Sequence, residues 1–323
     1  MKKFKPILIV AGEPNSVFLE TFFKSLNNKK YKSPLILIAS KKLLDLQMKK
    51  LKFKKKIKII KKKNIQNYTL DNKSINLINI EYNPSRAFEK ITNKSNAYIK
   101  KSFDTAFDLI GQKITYKIIN GAISKKNFLK KNYLGMTEYI SKKFKIKKNA
   151  MLIYNEKLSV CPITTHLPLK LVPKEINKKK IIEKISLVDN FYKKTFKFKP
   201  RIGVLGMNPH CESILKFNED EKIIKPAVKY LKGLKYKISG PHSSDTMFLK
   251  NNREKFDVII GMYHDQVLTP VKTLYEYDAI NITLGLPFIR ISPDHGPNEK
   301  MIGKNKSDSK SLLKCIDFIE KYK

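Results

Sequence analysis

Short apolar runs alternate with segments of helical periodicity along much of the chain, a pattern that predicts a layered α/β protein. The run from Pro6 to Ala11 predicts a strand, and the apolar spacing after about Ser16 predicts a helix. The run from Leu35 to Ala39 predicts a second strand, and Ser40 is placed to cap the helix that follows it. The beginning of the chain therefore predicts two successive β-α units.

The pattern weakens between Asn64 and Lys101, where only one strand is predicted, near Ile75 to Ile80. The lysine-rich stretch from Lys49 to Lys63 has isoleucines at a spacing of about two residues, which predicts a solvated edge strand. The remaining predicted elements are strands at Leu158 to Ile163, Arg201 to Leu205, Tyr236 to Ser239, Asp257 to Met262 and Ile280 to Leu284, and helices from about Glu175 to Phe191, Asp220 to Leu231 and Asp308 to Lys321.

A chain of 323 residues is too long for one small core and suits two α/β lobes, and two lobes imply a cleft. We expect a two-lobed layered α/β fold with a central cleft. Residues 1–130 together with about 297–323 are expected to form the first lobe. Residues 131–296 are expected to form the second lobe, which carries most of the candidate metal and substrate residues.

The formal net charge is +39, from 67 Lys and Arg residues against 28 Asp and Glu, which first suggests a nucleic-acid or anionic-membrane partner. The excess is nearly all lysine and is spread along the chain. Surfaces that read phosphates and bases concentrate their charge and normally use arginine. The diffuse lysine excess therefore indicates a compositional bias of the chain. We expect neither a specific nucleic acid nor a membrane as partner. A basic nucleic-acid-binding protein on an enzyme scaffold is the less favoured alternative.

The three cysteines, Cys161, Cys211 and Cys315, are odd in number and widely spaced, which argues against a disulfide framework and a C-x-x-C metal knuckle. The first apolar run is shorter than the core of a signal peptide, and no stretch approaches the ~20 apolar residues of a membrane span. These features predict a protein of the reducing cytoplasm.

The chain has only five histidines, and three of them, His166, His210 and His264, come just after the carboxyl ends of predicted strands. Ligands of open α/β sheets bind at that edge, so three imidazoles there suggest one shared metal. Each histidine taken alone is better explained as an ordinary loop residue, but three at equivalent positions favour a common site. Asp265 is placed either to orient a ligand, to accept a proton or to cap the next element.

Imidazole nitrogens suit Zn²⁺, Co²⁺, Fe²⁺ or Ni²⁺ better than the oxygen-preferring Mg²⁺ and Ca²⁺. We therefore expect Zn²⁺, with Co²⁺ or Mg²⁺ as alternatives. Three protein ligands leave coordination positions open, which is the arrangement of a catalytic rather than a structural metal.

Several short sequence motifs follow one another along the chain in a specific order. They are Thr165-His166-Leu167-Pro168-Leu169, Asn208-Pro209-His210, Met262-Tyr263-His264-Asp265-Gln266, Asn281 to Arg290, and Asp294-His295-Gly296. Together they resemble the 4-hydroxythreonine-4-phosphate dehydrogenases of the vitamin B6 pathway, most densely from about Gly121 to Gly296. The resemblance implies an isocitrate/isopropylmalate-dehydrogenase-like fold and a homodimer with its active site near the interface. It also implies a divalent metal on His166, His210 and His264, with the position of His210 filled from either subunit.

The same matching implies roles for further residues. Thr137, Lys272, Asn281 and Arg290 resemble the substrate-binding residues of the family, and Lys and Arg suit a phosphate or carboxylate. Lys125 resembles an active-site lysine of a family loop. Lys125 and Asp265 are both candidate bases, and the sequence does not choose between them.

The chain departs from the family at Met136, where a histidine that would touch the substrate is usual. The N-terminal motif Gly12-Glu13-Pro14 lacks the glycines that usually follow it in the family. The segment Cys211-Glu212-Ser213 stands where the family usually has Ala-Gly-Glu. These departures leave the exact substrate open. The expected reaction is NAD-linked oxidation of 4-phosphohydroxy-L-threonine followed by decarboxylation. The alternative is a paralogous dehydrogenase for a phosphorylated four-carbon sugar acid.

The sequence has no G-x-G-x-x-G word after a strand, so binding of NAD, or of NADP, follows from the resemblance alone. Gly285, Asp294 and His295 are the candidate cofactor-binding residues. The alternative for the segment that begins at Gly285 is a plain turn at the end of a strand.

Overall fold

The computed structural model describes residues 4–28, 30–129, 132–214 and 217–322. The chain forms two compact units, one of Met1–Asn132 with Pro287–Lys323 and one of Tyr133–Leu286. The boundary predicted between residues 130 and 131 lies outside the described residues. The chain rejoins the first unit at Pro287 and not at about 297, because Ile289–Pro293 is a strand that pairs with Lys117–Asn120 of that unit.

The described residues contain twelve strands. In chain order they are β1 (Ile7–Val10), β2 (Leu35–Ala39), β3 (Ile57–Ile59), β4 (Ile75–Asn79), β5 (Lys117–Asn120), β6 (Ala150–Tyr154), β7 (Ser159–Pro162), β8 (Ile202–Leu205), β9 (Ile238–His242), β10 (Val258–Gly261), β11 (Ile280–Leu284) and β12 (Ile289–Pro293).

The α-helices of the described residues follow most of these strands. They are α1 (Phe18–Asn28), α2 (Lys41–Lys50), α3 (Asn96–Gly111), α4 (Met136–Lys143), α5 (Val172–Glu175), α6 (Lys178–Phe196), α7 (Lys225–Gly233), α8 (Ser244–Met247), α9 (Lys250–Arg253), α10 (His264–Tyr275) and α11 (Lys310–Lys321). None of the helices in the described part of the chain is long and apolar enough to cross a membrane.

The first unit contains an all-parallel sheet with the strand order β3-β4-β2-β1-β5-β12. Strands β1 and β2 are buried along their whole length, as continuous apolar runs in parallel sheets usually are. The predicted cap is confirmed, because the Ser40 hydroxyl accepts the backbone N–H of Leu43 at 3.3 Å at the start of α2. The lysine-rich stretch does supply the edge strand β3, but this strand is only three residues long.

Three elements of the first unit, strand β5, helix α3 and strand β12, were not predicted. Helix α3 begins at Asn96 and packs on β1 and β2, although only one strand was predicted between Asn64 and Lys101. Strand β12 contains Arg290, which the sequence placed after a strand. The Arg290 guanidinium is accommodated in the buried strand because its Nε donates to Asn120 Oδ1 on β5 at 2.7 Å.

The second unit contains a mixed sheet with the order β11-β6-β7-β10-β8-β9. Strand β6 is antiparallel to both β11 and β7, whereas β7, β10, β8 and β9 run parallel to one another. Helix α6 begins at Lys178 and not at Glu175, because the Asn177 side chain accepts the Lys180 N–H and caps it there. Together the two units have a mixed α/β fold, which confirms the predicted α/β class.

Candidate metal and substrate site

Three neighbouring parallel strands of the second unit place the three candidate metal-binding histidines. Strand β10 lies between β7 and β8, with Val258 opposite both Ser159 and Ile202. The carboxyl ends of these strands therefore share one edge of the sheet. His166 follows β7, His210 follows β8 and His264 follows β10, so the topology delivers all three chain segments to that edge, as the sequence predicted.

The His166 and His264 rings lie close together, with their centroids 5.2 Å apart and their planes inclined by 39°. His264 is the first residue of α10, and its Nδ1 lies 2.6 Å from the carboxylate of Asp265. That contact engages Nδ1 and leaves Nε2 as the ring nitrogen that Asp265 does not contact. Two imidazoles at this separation suit two ligands of one small cation, and the contact favours the orienting role among the three roles predicted for Asp265.

His210 is not part of this close pair. Its side chain is 72% exposed, and its Nδ1 lies 3.5 Å from the Ser243 hydroxyl and 3.9 Å from the Asp245 carboxylate. The hydrogen bond from Ser243 lowers the pKa of Asp245, and the charge of His210 acts in the same direction. Within the described residues, no group of three or more His, Cys, Asp or Glu side chains is arranged to hold one metal ion. The donor chemistry of His166 and His264 thus fits a metal, but no third ligand joins them among the described residues.

Two of the three histidines have an unusual backbone conformation. His166 has a φ of 50° and His210 a φ of 54°, both in the left-handed region that residues other than glycine rarely occupy. Such strain is concentrated at functional sites, where the surrounding structure holds it in place. Nine other non-glycine residues of the described chain also have a positive φ, so the conformation alone assigns no function to either loop.

Gln266 joins the loops that carry the histidines. Its Nε2 donates to the Gly206 carbonyl and to the Ser244 hydroxyl, each at 2.7 Å, and its Oε1 accepts the Met262 N–H at 2.6 Å. One side chain therefore ties together the segments that follow β8, β9 and β10. The sequence motifs include Gln266, but no local pattern indicated this role.

The loop before His210 is also held by a buried carboxylate. Asp220 is fully buried and accepts the backbone N–H groups of Met207 at 2.7 Å and Asn208 at 3.1 Å, together with the Asn208 side-chain amide at 2.8 Å. Asp220 begins a π-helical turn that precedes α7, where the sequence predicted one continuous helix. The turn thus places Asp220 where it fixes the loop.

The candidate substrate residues of the second unit are in different environments. Thr137 is buried in α4 and its hydroxyl lies 3.3 Å from that of Thr283, while Met136, at the start of the same helix, is half-buried. Asn281 lies on β11 and its buried Oδ1 has no hydrogen-bond partner among the described residues. Lys272 is exposed on α10, the helix that begins at His264. Their roles therefore stay predictions.

The other candidate residues have local contacts. Gly285 has a φ of 91°, and a Cβ there would lie 2.2 Å from the Lys148 carbonyl oxygen, so a turn explains this glycine. In the first unit the Asp294 N–H donates to the Ser311 hydroxyl at 3.1 Å, and His295 Nδ1 lies 3.0 Å from the Gly296 carbonyl. Lys125, also in that unit, is exposed at the start of a π-helical turn. These contacts leave the predicted cofactor role open.

A cavity of about 320 Å³ in the second unit lies beside the His166 loop. Its lining includes Glu138, Thr165, Asn149 and Lys184. Burial lowers the pKa of Lys184, while Cys161 and Glu138 act in the opposite direction. The Lys184 ammonium donates to the Asn149 carbonyl at 3.1 Å. The half-buried side chains of Glu138 and Lys184, one acidic and one basic, therefore face one cavity beside the His166 loop.

Comparison with known proteins gives matches over nearly the whole chain and others over about half of it. A 4-hydroxythreonine-4-phosphate dehydrogenase of Sulfurihydrogenibium sp. (strain YO3AOP1) is 36% identical over 316 residues, which are 96% of each protein. The crystal structure of 4-hydroxythreonine-4-phosphate dehydrogenase from Klebsiella pneumoniae is 27% identical, with a TM-score of 0.83 over 98% of both chains. A D-threonate 4-phosphate dehydrogenase of Salmonella typhimurium is 36% identical over 186 residues, 57% of each protein.

The family comparison agrees with the sequence motifs. Residues 30–319 match the family of the pyridoxal phosphate biosynthetic protein PdxA. The resemblance predicted from the spaced motifs is thereby confirmed, and the chain belongs to the PdxA family of pyridoxal phosphate biosynthetic proteins.

Proposed function

We propose that this protein is a metal-dependent, NAD(P)-linked dehydrogenase that oxidises 4-phosphohydroxy-L-threonine, followed by decarboxylation, in the biosynthesis of pyridoxal phosphate. The observation that carries the proposal is the 5.2 Å approach of the His166 and His264 rings in a member of this family. Both residues lie at the carboxyl edge of parallel strands, where α/β enzymes bind their ligands. The isocitrate/isopropylmalate-dehydrogenase-like architecture implied by the motifs is part of the same proposal.

The metal ligands in this proposal are His166, His264 and His210, the last from the same subunit or its partner. Bound there, a divalent ion, with Zn²⁺ favoured, would act as a Lewis acid toward a hydroxyl, and NAD⁺ or NADP⁺ would take up a hydride. The contact of Asp265 with His264 supports an orienting role for that carboxylate. Lys125 then becomes the candidate base for the substrate hydroxyl proton.

The remaining candidate residues would bind the substrate. Lys272 and Arg290 carry the positive charge that a phosphate or carboxylate requires. Thr137 and Asn281 offer a hydroxyl and an amide for the hydroxyl and amino groups, and the unpartnered Oδ1 of Asn281 supports this assignment. Oxidation gives a β-keto acid, which loses CO₂ when a nearby cation stabilises the enolate.

The quaternary structure in this proposal is a homodimer. Its support within the second unit is a set of exposed apolar side chains that a monomer would leave in water, among them Leu169 at 65% exposure and Phe217 at 55%. The same proposal places the enzyme in the cytoplasm, in keeping with three free cysteines in the described residues.

A second candidate substrate is D-threonate 4-phosphate. Met136, which replaces the usual histidine, favours it, and a relative with that named activity matches about half of the chain. The relative that matches 96% of the chain carries the 4-hydroxythreonine-4-phosphate dehydrogenase name, so the first substrate is preferred. The family assignment also leaves the nucleic-acid-binding alternative without support.

The proposal is tested by following NADH formation with purified protein, added Zn²⁺ or Co²⁺, and each phosphorylated substrate in turn. We expect a higher kcat/KM for 4-phosphohydroxy-L-threonine than for D-threonate 4-phosphate. The reverse order would replace the first substrate by the second, and activity with neither would overturn the dehydrogenase proposal.

A further inference from the structure

Glu138 lies in the first turn of α4 and contacts the residue that precedes His166. Its Oε1 accepts a hydrogen bond from the Thr165 hydroxyl at 3.0 Å. The Thr165 backbone leads directly into the left-handed conformation of His166. Glu138 therefore fixes the entry to the loop that carries one candidate metal ligand.

The second carboxylate oxygen of Glu138 lies on the side of the His166 ring. This Oε2 is buried and accepts no hydrogen bond from the described residues. A Cβ built on Gly135 would lie 2.9 Å from Glu138 Oε2 and also 2.9 Å from His166 Nδ1. Both side chains thus border the space that the missing Cβ of Gly135 leaves open.

The buried Oε2 of Glu138 has no hydrogen-bond donor among the described residues, so this second oxygen requires an explanation. Lys184 lies near enough to interact electrostatically with Glu138, but its ammonium donates to the Asn149 carbonyl. Metal-binding histidines nearly always donate their second ring N–H to a carboxylate, a carbonyl or water. Glu138 is placed to accept that hydrogen bond from His166.

We propose that Glu138 is a positioning residue that accepts the Nδ1–H of His166 and thereby presents the Nε2 of this ring to the metal. This inference rests on the proposed function, because it requires His166 to be a ligand. Gly135 has an equally specific role, since the Cβ of any larger residue would lie 2.9 Å from both Glu138 Oε2 and His166 Nδ1. Its φ of −165° is open to every residue, so only the space requires glycine.

The test measures Co²⁺ binding to the metal-free full-length protein by calorimetry and by visible absorption, independently of turnover. Glu138→Ala should weaken Co²⁺ binding by about 10- to 100-fold, the usual effect of losing such a partner. Glu138→Gln, which keeps the shape and one acceptor oxygen, should show a smaller loss. Gly135→Ala should also weaken binding, although it removes no polar group.

Glu175→Gln is the matched control, because Glu175 lines the same cavity but is exposed and paired with Lys180. It should bind Co²⁺ as the wild type does. Thermal unfolding of each metal-free variant separates loss of the site from loss of the fold, and the isosteric Glu138→Gln keeps the test valid where Glu138→Ala does not fold.

Different results would contradict the proposed metal site and the proposed role of Glu138. Wild-type protein that bound no Co²⁺ would contradict the metal site of the proposed function. Binding that His166→Ala abolished, but that Glu138→Ala, Glu138→Gln and Gly135→Ala left at the wild-type affinity, would overturn only the role of Glu138.

Discussion

The Gln266 side chain donates to the Gly206 carbonyl at 2.7 Å, which ties the first turn of the His264 helix to the loop that leads to His210. One amide group thus links the chain segments that carry two candidate metal ligands. The same amide group also accepts the Met262 N–H and donates to the Ser244 hydroxyl.

Replacing Gln266 by Leu should therefore destabilise the protein as well as the site. The substitution leaves the Met262 N–H and the Gly206 carbonyl without their partner, at a cost of about 1–3 kcal/mol for each buried group. Urea unfolding measures this change, and Gln112→Leu at an exposed position is the control. A free energy of unfolding equal to that of the control would show that water replaces Gln266 without loss.

Met136 tests which substrate the pocket serves. If the site is otherwise that of the family, Met136→His should add one hydrogen bond to 4-phosphohydroxy-L-threonine, worth about 1.5–3 kcal/mol or roughly tenfold or more in affinity. A pocket shaped for another substrate should instead lose turnover of that substrate. KM and kcat for both substrates give the sign of the change. No change with either substrate would place Met136 outside the pocket.

Substitution of Gly285 tests whether this candidate cofactor-binding residue is required for the stability of the fold. Gly285→Ala should lower the melting temperature of the cofactor-free protein, because its positive φ costs about 1–3 kcal/mol in another residue and its Cβ would meet a backbone oxygen. Gly111→Ala, at the end of α3 with open space around it, is the matched control and should be neutral or slightly stabilising. An unchanged melting temperature for Gly285→Ala would leave cofactor binding as the reason for this glycine.

His242 predicts a dependence of stability on pH. Burial lowers the pKa of His242, and the charge of Lys255 acts in the same direction. Between that lowered pKa and the ordinary value near 6.5, the unfolded chain binds a proton that the folded protein does not. Acidification through this window should therefore destabilise the wild type more than His242→Gln. Urea unfolding at several pH values measures the difference, and a difference independent of pH would contradict the lowered pKa.

Local sequence patterns were sufficient to predict the segments whose structure depends mainly on their own residues. The runs that form β1 and β2 are continuous and apolar, and Ser40 caps the next helix through an interaction that spans only three residues. The histidine loops were also predictable, because the carboxyl ends of parallel strands share one edge.

Other elements depend on contacts that are distant in the sequence. Helix α3 buries Ser102 and Thr105 among its apolar residues, which dilutes the hydrophobic pattern that predicts a helix. Arg290 lies within a buried strand, where its Nε–H donates to Asn120, a residue distant in the sequence. The orientations of Glu138 and Gln266 follow from loops that meet in space, so neither role was visible in the sequence.

The most direct test of the central claim is the initial rate of NADH formation by chelator-treated protein with 4-phosphohydroxy-L-threonine, before and after Zn²⁺ or Co²⁺ is restored. We predict that the treated wild type is inactive, that restored metal recovers its rate, and that His166→Ala and His264→Ala remain inactive with metal. A wild-type rate that is the same with and without metal, or full activity of both histidine variants, would contradict the account.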